Sequence, residues 1–246
     1  MKPSSMWHAA YCTLAISNSF LLVADDTYHL DVSKMNQEIF SCIYEVNAWL
    51  DPDTRSGPGS NLKQTAIIRT ELPKIFKELG IEILLDVPCG DFYFMDKTDL
   101  SCLKYYIGGD IVPQIIVDVR KKYASDRRAF MCIDITRDEL PKADAILCRD
   151  CLPHLSYNDI KAAIKNFKAS GARYLITSTY PGRAENSDLN LAQGLNLWRY
   201  RPLNFELPPF SFPKPLLIIN EGNTESGGGI RDKSLGVWLI QDLPNY

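Results

Sequence analysis

Three stretches of this chain run from apolar residues straight into an aspartate, and that repetition narrows the folds open to it. They are Ile83-Leu84-Leu85-Asp86-Val87-Pro88-Cys89-Gly90-Asp91, Tyr105-Tyr106-Ile107-Gly108-Gly109-Asp110 and Phe130-Met131-Cys132-Ile133-Asp134. Short apolar runs bounded by turn residues read as strands of a parallel sheet buried on both faces. Ligands of open α/β sheets bind at the carboxyl ends of the strands. Three successive strands therefore bring three carboxylates to one edge, an arrangement suited to a nucleoside.

The order of elements agrees. Helical spacing of Ile39, Ile43, Val46 and Leu50 predicts a helix over 33–50, and a second spans 62–79 with Pro73 inside it. From residue 81 strands and helices alternate: strand 81–87, helix 92–97, strand 104–110, helix 113–124, strand 129–135, strand 143–149, helix 157–169 and strand 172–178. Repeated βα units build a parallel sheet with helices on both faces. Two last strands, 216–220 and 235–240, form a closing hairpin that gives the sheet one antiparallel strand. The expected fold is a Rossmann-like α/β domain with seven strands.

Within one domain over 33–246, the reading assigns 33–80 as a helical cover, 81–180 as the ligand-binding core, 181–214 as a substrate lid and 215–246 as the hairpin. The lid assignment rests on a long connection rich in proline and aromatic residues, because such loops inside compact domains are usually functional. Residues 1–32 read as a leader. Its apolar stretch from Trp7 to Ala24 resembles a targeting signal, but Ser17-Asn18-Ser19 interrupts it and it is too polar to span a membrane. A cytoplasmic protein is the expectation, with an N-terminal targeting signal as the alternative.

A net charge of −3 and a pI near 5.7 provide no electrostatic footprint for a polyanion, so nucleic acid is disfavoured as a partner. Seven cysteines, several of them within aliphatic runs, suit buried thiols better than a disulfide framework. Cys148 and Cys151 form a lone C-x-x-C without the further soft ligands zinc would require. No metal is expected, and the oligomeric state is not readable.

The order of elements, the Asp86-Val87-Pro88-Cys89-Gly90-Asp91 loop and the acids at Asp110 and Asp134 resemble class I S-adenosylmethionine-dependent methyltransferases over about residues 55–243. The loop departs from the commonest form of that family, which has glycine where Pro88 stands and another shortly after Gly90. The resemblance implies S-adenosylmethionine as cofactor. Pro88, Cys89 and Asp91 then join Gly90 in the cofactor loop, where Gly90 lets backbone approach ligand. Asp86 faces the cofactor's ammonium group and Asp110 accepts its ribose hydroxyls. Asp134 accepts the adenine amine, with Ile111 and Ile135 as walls for the ring. Arg149 counts as a further contact, and Arg69 on the preceding helix pairs with the cofactor's carboxylate. For any one of these aspartates, a helix N-cap is the competing explanation. A dinucleotide oxidoreductase would need G-x-G-x-x-G to admit a pyrophosphate; here Gly90 is followed by bulky, acidic Asp91-Phe92-Tyr93-Phe94. A non-catalytic descendant that binds cofactor or partner also stays open.

Methyl transfer to a hydroxyl or a protonated amine requires a base beside the donor. Beyond the fourth strand the chain reads Cys148-Arg149-Asp150-Cys151-Leu152-Pro153-His154. His154 is the expected base and Asp150 its orienting partner; the alternative makes them a turn residue and a packing histidine. Trp198, Arg201 and Asn204 in the lid are the expected substrate contacts, and a small-molecule or glycan acceptor is the expected partner.

Overall fold

The apolar runs form strands, and the strands join one sheet. The computed structural model describes residues 32–189, 200–224 and 229–246. Strands β1 (Ile83–Asp86), β2 (Tyr105–Asp110), β3 (Arg128–Cys132), β4 (Ala145–Cys148), β5 (Tyr174–Thr179), β6 (Leu217–Asn220) and β7 (Ser234–Leu239) lie in the order β3-β2-β1-β4-β5-β7-β6. The first five are parallel, while β7 runs antiparallel to both β5 and β6. After β1 the chain builds outward through β2 and β3, then returns to place β4 on β1's other side. That reversal opens a crevice at the carboxyl ends of β1 and β4.

Alternate side chains feed two cores. Leu84, Tyr106, Phe130 and Ile176 pack beneath helices α2 (Ala66–Glu78) and α4 (Pro113–Tyr123), through Ile68, Leu72, Phe76, Ile116 and Val119. Leu85, Ile107, Ile146 and Leu175 face the opposite side, where α5 (Tyr157–Ser170) contributes Ile160, Ile164 and Phe167. A short α3 (Tyr93–Asp96) follows β1, and α1 (Val32–Val46) lies N-terminal to the rest. Helix α1 stops four residues before the predicted Leu50: Asn47 adopts φ 50° and the Ala48 N–H reaches back to the Ile43 carbonyl, a left-handed C-terminal cap. Helix α2 begins at Ala66 rather than 62, because the Asn61 side chain accepts the N–H groups of Lys63 and Gln64 in a preceding turn.

Two expectations change here. Part of 181–214 is core: Leu203, Phe205, Phe210 and Phe212 are buried in the second cluster. Phe205 stacks on Phe212 at 5.0 Å, and Phe212 meets Trp238 of β7 edge-on at 5.5 Å. The chain there substitutes for a helix against the sheet. Cysteines 89, 102, 132, 148 and 151 are free, as expected, whereas Cys42 is disulfide-bonded. The leader, apart from Val32, lies outside the described residues, as does Trp198. Among the described residues, no helix is long and apolar enough to cross a membrane.

Candidate active site

A cavity of about 510 Å³ opens at the carboxyl ends of β1, β2 and β4, within the range that holds small ligands. Asp86, Pro88, Cys89, Gly90, Asp91, Asp110, Ile111, Arg149, Asp150 and His154 all line it. Residues 56–60, Ile230 and Lys233 supply parts of its rim, and α1 supplies Phe40, Ile43 and Tyr44.

At the β1 end, Asp86 is 2% exposed and accepts a 2.5 Å hydrogen bond from the Tyr106 hydroxyl. Burial pushes its carboxyl up to about 7, against the Tyr106 bond and the charge of Arg149. Asp110 closes β2. Its two oxygens accept the N–H groups of Gly90 at 3.1 Å and Val112 at 2.9 Å. Burial raises it to about 6 despite these bonds. The Asp110 carboxylate keeps acceptor capacity beyond these N–H groups.

The turn between β1 and α3 is held from outside. Asp91 accepts from the Thr54 hydroxyl, the Arg55 N–H and the Ser56 hydroxyl at 2.8–3.0 Å, stapling residues 54–56 onto the loop. Gly90 sits at φ 53°, and a Cβ there would lie 2.2 Å from Ser56 Oγ. Its lack of a side chain admits the cover loop, a different reason from the close ligand approach expected for it. The Val87–Pro88 peptide is cis and occupies the position where a glycine was the commoner alternative.

At the β4 end the charges are paired. The Arg149 guanidinium donates to both oxygens of Glu221, at 3.1 and 2.7 Å, and to the Gly59 carbonyl at 2.7 Å. It stands 3.3 Å from Asp150 Oδ2 and over the Phe94 ring. Lys233, 2% exposed, donates to Asp150 and lies 3.6 Å from Glu221. The Ser178 hydroxyl also meets Asp150, accepting from its N–H and donating to its carboxylate. Burial alone would raise the Asp150 carboxyl, but the Lys233 ammonium and Arg149 guanidinium bring it down to about 2. Burial likewise works against the Arg149 charge, and Glu221 and Asp150 more than offset it. Asp150 adopts φ 53°, a left-handed conformation uncommon outside glycine, of the sort found at functional turns.

Glu221 and Lys233 gave no local signal in the sequence. Topology would have found them: an antiparallel strand begins where its parallel neighbours end. Lys233 immediately precedes β7, and Glu221 immediately follows β6, so both arrive at the carboxyl edge. His154, 8% exposed, is bounded by rings: Trp49 at 5.5 Å, Tyr200 at 5.2 Å and Phe40 at 6.1 Å. Asp150's carboxylate is turned to Lys233, Arg149 and Ser178, and aromatic rings pack around the imidazole.

Several expected residues are not brought to the cavity. Strand β3 ends at Cys132, and Asp134 folds into a local turn, accepting from the Thr136 N–H and hydroxyl and pairing with Arg137 at 3.2 Å. Ile135 packs into the second core. No helix directly follows Asp134, so its contacts are those of a turn rather than of a helix N-cap. Arg69 donates to the Leu62 carbonyl in the turn that precedes α2. Arg201 bonds the carbonyls of Ser187 and Pro153, and Asn204 those of Pro181 and Arg183, so both tie loop to loop.

In architecture the chain is similar to the methyltransferase domain of bacterial CtHen1-C, with a TM-score of 0.52 and 14% identity over 73% of this chain and 98% of that one. It is similar also to the CtHen1-CN form of that domain, with a TM-score of 0.51 and 13% identity over 73% and 100% of the two chains. No family model matches the sequence, and no curated sequence matches it. The fold is that of the Rossmann-like class I methyltransferases.

Proposed function

We propose that this protein transfers a methyl group from S-adenosylmethionine to a small-molecule acceptor. One observation carries the reading: a single cavity at the sheet's switch point is lined by Asp86, Asp110 and Ile111 on one side and by Asp150 and His154 on the other. The residues suit the cofactor chemically. Asp110, buried with acceptor capacity to spare, holds the ribose hydroxyls. Ile111 and Val112 form an apolar wall for the adenine. Asp86 answers the ammonium group, whose positive charge would draw the carboxyl into its ionised form. Pro88, Cys89, Gly90 and Asp91 frame the methionine end, with residues 56–60 closing over it. Arg149 contributes chiefly by ordering that loop through Gly59. Asp134, Ile135 and Arg69 have no part in this assignment.

The cofactor supplies an electrophilic methyl group on a sulfonium; the protein's share is alignment, exclusion of water and proton removal. His154 accepts the acceptor's proton, held in place by the rings around it. Asp150, kept ionised by Lys233 and Arg149, presents a fixed negative charge at the same end. Residues 33–80 act as the cover, 81–180 as the cofactor-binding core, and 215–246 as a hairpin that contributes Glu221 and Lys233.

Calorimetric titration with S-adenosylhomocysteine tests the assignment. Saturable binding is expected, weakened at least about tenfold in Asp110→Ala through loss of a charge-assisted contact. No binding by the native protein would remove the basis of the proposal.

A further inference from the structure

The cavity's two sides differ in what they offer a second ligand. Helix α1 presents Phe40, Ile43 and Tyr44 at i, i+3 and i+4, one ridge of a helix face. That ridge is anchored: Gln37 donates to the Ile111 carbonyl at 2.9 Å, and the Tyr44 hydroxyl donates to Asp118 at 2.9 Å. Trp49 continues the wall, lodged against Gly57, where a Cβ would lie 3.0 Å from its ring. Tyr200 and His154 complete it.

The polar groups nearby already hold one another. Asp150 faces Lys233, Arg149 and Ser178, while Arg149 faces Glu221 and the Gly59 carbonyl. A sugar placed here would bury several hydroxyls with few partners, at a cost of about 1–3 kcal/mol for each one left unmet. A protonated amine would find the nearby carboxylates, Asp150 and Glu221, already paired with Lys233 and Arg149. A flat apolar ring meets neither obstacle, and a hydroxyl on it is neutral until it reacts.

We infer that the acceptor is a small aromatic compound bearing a ring hydroxyl, bound against Phe40, Tyr44, Trp49 and Tyr200 with its oxygen toward His154. The inference rests on the methyl-transfer reading and gives it a substrate class, replacing the glycan alternative. In the reaction the ring oxygen forms a bond to the methyl carbon as that carbon's bond to sulfur breaks. Sulfur keeps the electron pair, and the hydroxyl proton passes to His154. The products are an aryl methyl ether and the neutral thioether.

The test is calorimetry on the full chain with three probes: S-adenosylhomocysteine alone, then naphthol and methyl glucoside each in its presence. Naphthol should bind saturably and the glucoside should not. Trp49→Ala should weaken naphthol roughly tenfold, as loss of one ring contact predicts, while Trp49→Phe restores most of the affinity. Both variants should still bind S-adenosylhomocysteine saturably, which also reports that they fold. Mass spectrometry after turnover should find the methyl group on the ring oxygen. If S-adenosylhomocysteine binds but naphthol does not, or the glucoside binds in its place, the acceptor class is wrong and the methyl-transfer reading survives. If S-adenosylhomocysteine does not bind the native protein, the reading beneath the inference fails with it.

Discussion

Two carboxylates line one cavity, and the protein treats them in opposite ways. Asp86 and Asp150 stand at the ends of adjacent strands, but burial lifts the first to about 7 while cations carry the second down to about 2. Asp86 has a phenol for its hydrogen-bond partner and feels Arg149 only as a charge. Asp150 has an ammonium in contact and a guanidinium at 3.3 Å. Desolvation thus pushes both buried acids upward, and the cations beside Asp150 reverse that push there. The β1 side is consequently ready to receive positive charge from a ligand, whereas the β4 side is already compensated.

The most damaging way to break this contrast is Lys233→Met. It leaves Asp150 and Glu221 sharing Arg149 alone, and removing one partner of a buried charge cluster costs about 3–5 kcal/mol. Urea denaturation should show that loss, with Asp150 moving toward the behaviour of Asp86.

The pH dependence of stability separates the two acids next. Asp86 is raised above its ordinary value of 3.8, so its contribution is fully present below that pH and is lost as pH climbs through about 7. Asp150 is lowered from 3.8, so its contribution is present above that pH and is lost as pH falls through about 2. Asp86→Asn should remove the Asp86 share of the slope up to about pH 7, worth no more than about 4 kcal/mol, leaving the smaller share of Asp110, raised to about 6, and the acid limb intact. Asp150→Asn should do the reverse. Chemical denaturation across the pH range would show a shared response if the contrast is false. By the same linkage, cofactor affinity should rise with pH through about 7, because a cationic ligand favours ionised Asp86.

Tyr106→Phe makes the smallest change. It deletes the hydroxyl that favours the Asp86 carboxylate, so the Asp86 titration should move further up, at a cost of about 1 kcal/mol near neutral pH. Carboxyl-carbon NMR titration would register the shift.

The β1–β2 half of the site was legible because it depends on local pattern: an apolar run fixes a strand, and the next residue fixes the carboxylate at its end. The same rule misplaced Asp134, since β3 stops at Cys132 and Thr136 and Arg137 provide local partners that hold the acid in its own turn. The 181–214 segment was legible only in part, for a different reason. Composition does not distinguish an aromatic residue bound for a lid from one bound for a core, and Phe205, Phe210 and Phe212 took the core. Glu221 and Lys233 reach Arg149 and Asp150 across 72 and 83 residues. No local periodicity encodes such separations, although the antiparallel hairpin foreshadowed which edge they would meet. The ring wall around His154 joins α1, the 47–50 turn and Tyr200, three segments whose meeting only the fold determines.

A crystal structure of the protein grown with S-adenosylhomocysteine tests the central claim most directly. The nucleoside should lie across the ends of β1 and β2, its ribose hydroxyls on the Asp110 carboxylate and its adenine against Ile111. Ordered ligand at any other surface, or an unchanged cleft at saturating ligand, would contradict it.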